Sequence, residues 1–258
     1  MNILVFDIET VPDLDGGRRL HGLDGLADED VAKALFHLRA QETGGSEFLR
    51  LHLHRIVAIS TVRRSGEALD VTSLGTPDSP ESELIRAFFD CVERDIPTLV
   101  SWNGSGFDLP VLHYRALLHG VVAPRYWDVG EEDREFKWNN YLSRYHSRHT
   151  DLMDVLAGHQ PRANAPLGEI ASLLGLPGKL GMDGAQVWER FQAGELRAIR
   201  DYCETDVLNT YLVWLRFELM RGHLLLPGYE AELSRLREYL NAGDRPHFSA
   251  FLAAWPAD

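Results

Sequence analysis

Cysteine is nearly absent: Cys91 and Cys203 are the only two in 258 residues. They are too few and too far apart for a disulfide framework or for a CxxC redox or zinc pattern, and they suit a reducing cytoplasm as buried small residues. Long apolar runs are missing too. No stretch is long enough to span a bilayer, and Met1 leads into a strand-like segment with no basic region before it. The expectation is a soluble, unexported, cytoplasmic protein with no membrane partner. His52 with His54, and His146 with His149, lack the further ligands that a zinc site requires. Positive charge is also scarce: 26 Lys and Arg against 39 Asp and Glu give a formal net charge of −13. This argues against a protein that grips nucleic acid along an extended basic face, because non-specific affinity comes from phosphate neutralisation.

What is present suits one globular domain over residues 1–258, since 45% of the residues are hydrophobic and 25% are charged. Residues 2–8 (NILVFDI), 55–62 (RIVAISTV) and 68–74 (ALDVTSL) read as strands, the last two joined by a turn at Ser65-Gly66. A helix over 81–94 presents Leu84, Ile85, Phe88 and Phe89 on one face. The strand 98–102 and a helix over 108–119 follow, so a parallel strand is added to the sheet. Further on lie a short segment near 149–152, a helix around 167–174 and a long helix over 195–221 with no Gly or Pro inside it. Residues 11–54 read as an insertion between the first two strands, helical from Asp28 to Glu42 and stopped at Gly44-Gly45. Residues 222–258 read as a helical extension whose Phe248, Phe251 and Trp255 pack on the back of the domain. The fold class is α/β, a mixed central sheet flanked by helices.

Three motifs carry chemistry. In Phe6-Asp7-Ile8-Glu9-Thr10, two acids two residues apart on a strand share one face, where they repel unless a cation joins them. The pair sits at the end of an apolar strand, a place where sites form; as a surface ornament it would be common. In Ser101-Trp102-Asn103-Gly104-Ser105-Gly106-Phe107-Asp108, a strand gives way to a helix. The glycines permit close backbone approach, and Asp108 either serves a site or merely caps the helix, as Asn103 either serves it or closes a turn. In Tyr202-Cys203-Glu204-Thr205-Asp206, the four-residue spacing places a phenol and a carboxylate on one helical face. Each motif alone has a structural reading, so it is the ordered set that matters.

With these residues in place, the chain resembles the DEDD exonucleases. The match is to the tyrosine branch found in the proofreading domains of family B DNA polymerases, and to stand-alone predicted 3′ to 5′ exonucleases related to them. It runs from Asp7 to about Trp214 and includes HRIVAIS at 54–60, HTDLMD at 149–154, KLGMDG at 179–184 and YCETDVLNT at 202–210. The sister branch has histidine five residues before the last acid, where Asp201 stands here. The resemblance implies a ribonuclease H-like fold, Asp7, Glu9, Asp108 and Asp206 as metal-binding acids, and Tyr202 beside the attacking water.

Oxygen ligands without His or Cys select Mg²⁺ or Mn²⁺, and a pair of such ions stabilises both the attacking and the leaving oxygen of an in-line displacement at phosphorus. Two such ions would also change the balance from −13 to about −9 and put positive charge where phosphate sits. The expected products are nucleoside 5′-monophosphates. Tyr202, with a free phenol pKa of about 10, is expected to orient water rather than act as a strong base. For substrate contacts, Phe107 and Asn103 belong by resemblance to the second motif. The stretch 136–149 (FKWNNYLSRYHSRH) sets Lys137, Arg144 and Arg148 among Trp138, Tyr141 and Tyr145, a pattern suited to a single strand or to a solvated, partly amphipathic helix. The expected partner is nucleic acid with a free 3′ end, single-stranded DNA ahead of RNA. The alternatives are an RNA-trimming enzyme of the same fold and a catalytically silent domain holding nucleic acid or a polymerase. A silent domain is expected to lose an acid, and all four are present. Asp151 and Lys179 receive no role from the sequence, and protein partners stay unknown.

Overall fold

Alternation along the first strand sets the plan of the molecule, which is described over residues 1–256 in a computed structural model. In β1 (Asn2–Pro12), Ile3 and Val5 face one apolar layer, while Leu4, Phe6 and Ile8 face another. A strand covered by helices on both faces is apolar on both, which is why NILVF reads as a continuous hydrophobic run. β1 lies at the centre of a five-stranded mixed sheet of order β3-β2-β1-β4-β5. β2 (His54–Ser65) and β3 (Ala68–Ser73) add antiparallel on one side, and β4 (Thr98–Ser101) and β5 (His149–Asp151) add parallel on the other. This is the α/β arrangement expected of a ribonuclease H-like fold.

The layer under Leu4, Phe6 and Ile8 is built by α3 (Glu81–Asp95), α4 (Asp108–His119) and α5 (Pro124–Trp127). Leu84, Ile85, Phe88, Phe89 and Val92 repeat at helical spacing and form the buried stripe of α3. The layer over Ile3 and Val5 is built by α9 (Leu196–Met220), which is buried on nearly all sides, together with α10 (Leu226–Ala242) and α11 (Pro246–Ala254). Phe248, Phe251 and Trp255 pack there against the α9 layer, and Arg64 clamps Glu232 of α10 at 2.8 and 2.6 Å. Shorter helices fill the rest: α6 (Leu152–Leu156), α7 (Leu167–Leu173) and α8 (Val187–Gln192).

Three local expectations need correction. β1 does not end at Ile8: it runs to Pro12, because β2 begins at His54 and pairs with it to the end, across a bulge at Glu9/Thr10. The 11–54 segment contains not only the expected helix, α2 (Asp28–Thr43), but also α1 (Leu14–His21), capped by the Asp13 carboxylate through Gly16 N–H at 3.0 Å. The 136–149 stretch is not a helix. Beyond a 3-10 turn at Arg134–Lys137, Asn140 Oδ1 accepts from Leu142 and Ser143 N–H, and Asn139 Oδ1 accepts from Ser147 and Arg148 N–H, all near 3.0 Å. Two asparagine side chains thus take the backbone donors that a helix would need.

Candidate active site

Period two carries Asp7 and Glu9 to the same face as Ile3 and Val5, the side covered by α9. β4 pairs with β1 only from Ile3 to Val5, so the acids project beyond the end of their parallel neighbour. Past that end, Ile8 N–H has no strand partner on this side, and it donates to Asp108 Oδ1 at 3.1 Å. Asp108 is the first residue of α4 and is almost wholly buried. Its carboxylate thereby lies at the edge of the strand that bears the other two acids.

The connection from β4 to α4 fixes that position. Asn103 adopts a left-handed conformation with φ 65°, and its carbonyl accepts from Gly106 and Phe107 N–H at 3.0 and 2.9 Å. A Cβ on Gly104 would come within 2.2 Å of Ser101 Oγ, so only glycine fits the chain's return over β4. Asp151, at the end of β5, holds the loop from below: its two carboxylate oxygens accept from Asn103 and Ser105 N–H at 2.9 Å each. That is a role the sequence did not reveal.

From the other side, α9 presents Tyr202 and Asp206 one turn apart. Between them Cys203 is fully buried, and its thiol faces the Asp7 carbonyl at 3.5 Å and Oδ2 at 3.7 Å. Asp7, Glu9 and Cys203 offer atoms that lie within 4.8 Å of one another. Asp108 and Asp206 interact electrostatically with Asp7, and Tyr202 with Asp206, Glu9 and Asp7, so the structure brings these five residues together from β1, α4 and α9.

These groups act on one another electrostatically. Withdrawal from water raises Asp7 well above the usual carboxylate range, and Asp108, Glu9 and Asp206 raise it further. Burial raises Glu9 in the same way, with Asp206 and Asp108 adding to it and Lys179 opposing. Burial pushes Asp108 up to about 7, partly offset by backbone N–H donors, and Asp206 up to about 6, where Tyr202 and Lys179 work against it. Burial and the neighbouring acids Asp206 and Glu9 hold the Tyr202 phenol protonated. Burial, Asp7 and Glu9 likewise raise the Cys203 thiol well above its ordinary value. Among the described residues no Lys, Arg or His forms an ion pair with any of the four acids. A crowded set of hard oxygen donors without an ion-paired partner suits a divalent cation of the Mg²⁺ or Mn²⁺ kind.

Residues 46–255 match a family described as predicted 3′-5′ exonucleases related to the exonuclease domain of PolB. The chain belongs to this family. No curated protein matches it. The matched segment holds Asp108, Tyr202 and Asp206; the strand bearing Asp7 and Glu9 precedes it, and the sheet joins the two.

The expected substrate contacts divide within this exonuclease fold. Asn103 and Phe107 lie on the loop that carries Asp108. Arg144 borders a cavity of about 470 Å³ that Asn103 and Ser105 also line, but its guanidinium is bonded to both oxygens of Asp154 at 2.6 and 2.7 Å. Lys137 is exposed over the Trp138 ring at 5.3 Å. Of the aromatics in that stretch, Trp138 and Tyr145 are exposed. Phe136 and Tyr141 are core residues, the Tyr141 hydroxyl donating to Pro97 O at 2.7 Å. Alternation of basic and aromatic residues did not separate these two kinds, because burial depends on where the turns fall. Lys179 had no assigned role; its charge acts on Glu9 and Asp206 from a loop that sequence spacing does not connect to them.

Proposed function

We propose that this protein removes nucleotides one at a time from the 3′ end of nucleic acid, single-stranded DNA ahead of RNA. It uses two divalent cations, Mg²⁺ or Mn²⁺, and releases nucleoside 5′-monophosphates. The observation that carries the reading is the set of four crowded acids without an ion-paired partner, drawn from three elements to the part of β1 that runs past β4. Asp7, Glu9, Asp108 and Asp206 would hold the cations, which when bound activate water and offset charge on the departing oxygen. The protein's own groups supply position. Asp108 is fixed by Ile8 N–H, so one carboxylate edge is set by the backbone of the strand that bears two others. Tyr202, held protonated, is a hydrogen-bond donor and not a proton acceptor, and it orients a water or a phosphate oxygen beside Asp206. Lys179 adds the positive charge that favours ionised Glu9 and Asp206 and attracts the substrate phosphate.

The test is digestion of oligonucleotides labelled at the 5′ end, with added Mg²⁺ or Mn²⁺. A descending ladder and 5′-monophosphates are expected. A single strand should be cut faster than a mismatched end, and a mismatched end faster than a blunt duplex. Internal cuts in a circular single strand would overturn the assignment, and faster loss of a matched RNA would move the substrate to RNA.

A further inference from the structure

Arg200 and Glu204 are buried charged residues of α9 that take no part in the chemistry above. They stand four residues apart, as Tyr202 and Asp206 do, but on a different face of the helix. What they hold is the sheet. Register pairs Asp7 of β1 with Ser60 of β2, and Ser60 with Ser73, the last residue of β3. Directly opposed residues share a face, so one row crosses three strands from the acid to the edge of the sheet. The hydroxyls of Ser60 and Ser73 are 2.8 Å apart along it. At the far end of that row, Glu204 Oε1 accepts from Ser73 N–H at 2.9 Å and from Ser73 Oγ at 2.8 Å. At the near end lies the contact of Cys203 with Asp7. Arg200, one turn earlier, donates to the carbonyls of Ser73, Leu74 and Gly75 at 3.0, 3.0 and 2.8 Å, where the chain leaves β3.

The second oxygen of Glu204 is held from the C-terminal extension. Oε2 accepts from Arg245 Nη1 and from His247 Nε2, each at 2.8 Å, and both residues stand at the start of α11. His247 Nδ1 also faces Asp201 Oδ1 at 3.3 Å, and both cationic side chains lie against the buried Phe248 ring. The extension therefore reaches α9 at Asp201 and Glu204, on either side of Tyr202. Apolar contacts between a helix and a sheet are non-directional, whereas hydrogen bonds fix an angle. A turn of α9 would carry Tyr202 and Asp206 together away from the acids on β1. We propose that Glu204 is a positioning residue: held between Ser73 and the Arg245–His247 pair, it sets the rotation of α9 that brings Tyr202 and Asp206 to Asp7 and Glu9. Resting on the exonuclease reading, this gives the 222–258 extension a part in turnover.

Glu204→Gln separates the two holds, because the amide oxygen still accepts from Ser73 while its NH2 group meets the donors of Arg245 and His247. In the full chain with Mn²⁺ it should lower kcat for the first nucleotide released by about ten- to a hundredfold at unchanged KM, the loss that follows a displacement of about 1 Å. Mn²⁺ binding, read from the free-ion paramagnetic resonance signal, should weaken as well. Arg245→Met should act in the same direction to a smaller extent, and Arg245→Lys, which keeps a cation beside Oε2, should recover most of the rate. Lower urea midpoints with wild-type kcat and Mn²⁺ binding per folded molecule would make the network structural only and overturn the proposal. So would an Arg245→Lys protein no faster than Arg245→Met. If Glu204→Gln does not fold, the two Arg245 variants decide by the same readouts. A wild type that releases no mononucleotide in Mn²⁺ overturns the exonuclease reading itself, whereas normal release by the wild type and by every variant overturns only the role of Glu204.

Discussion

Two of the groups of buried carboxylates in this molecule are treated in opposite ways. At the base of the insertion, Glu81 takes Arg115 Nε at 2.7 Å, Ile56 N–H at 2.6 Å and His119 at 2.7 Å, and the same guanidinium bonds Asp13. Nearly every oxygen in this group has a cation or a backbone donor. Where β1 runs on past β4, Asp7, Glu9, Asp108 and Asp206 have the N–H groups of Ile8 and Asp108, the Cys203 thiol and the Tyr202 hydroxyl as donors but no ion pair, and the neighbouring acids push Asp7 and Glu9 towards the protonated form. Burying charge costs several kcal/mol per ion unless it is offset, so the first group offsets it within the chain. The second has only the charge of Lys179 acting on Glu9 and Asp206, and on the proposed reading bound cations would supply the rest. An acid that the fold leaves without a partner marks function better than an acid that is simply buried.

The largest expected effect comes from removing a site acid. Asp7→Asn or Asp206→Asn should lower turnover by roughly a thousandfold, the equivalent of several kcal/mol of lost transition-state stabilisation, with the fold intact. In chelator the Asp7→Asn protein should unfold at a higher urea concentration than wild type, because repulsion is relieved. Full turnover by either purified variant would place the chemistry elsewhere. Arg115→Met should do the reverse: about 3–5 kcal/mol of stability lost in urea unfolding, because Asp13 and Glu81 are left buried without their cation, and near-normal activity per folded molecule. If Arg115→Met left stability unchanged, the contrast between the two groups would fail. A smaller effect is expected from Tyr202→Phe, about ten- to a hundredfold in single-turnover rate, since the ring still packs while its hydroxyl is lost. A rate equal to wild type would make Tyr202 a packing residue.

The sequence was most legible where the rule is local. Period two put Asp7 and Glu9 on one face, helical spacing put Tyr202 beside Asp206, and the apolar stripes located β2, β3, α3, α4 and α9 to within a few residues. That these elements converge was readable only through family resemblance, since nothing local links β1 to α9. The Arg115 network was invisible for the same reason: its partners lie 34 and 102 residues away. The 136–149 stretch misled because its composition suits both a strand-binding surface and a core turn, and two asparagines decided between them. Glu204 stood out in no pattern, because its partners Ser73, Arg245 and His247 lie 131, 41 and 43 residues away.

The central claim is that Asp7, Glu9, Asp108 and Asp206 form a divalent-cation site because the fold gives none of them an ion pair. Mn²⁺ titration followed by loss of the free-ion paramagnetic resonance signal tests this most directly, comparing wild type with Asp7→Asn and Arg115→Met. Wild type and Arg115→Met should each bind two Mn²⁺ per chain, and Asp7→Asn should lose that binding. Equal Mn²⁺ binding by wild type and Asp7→Asn, or no binding by wild type, would contradict it.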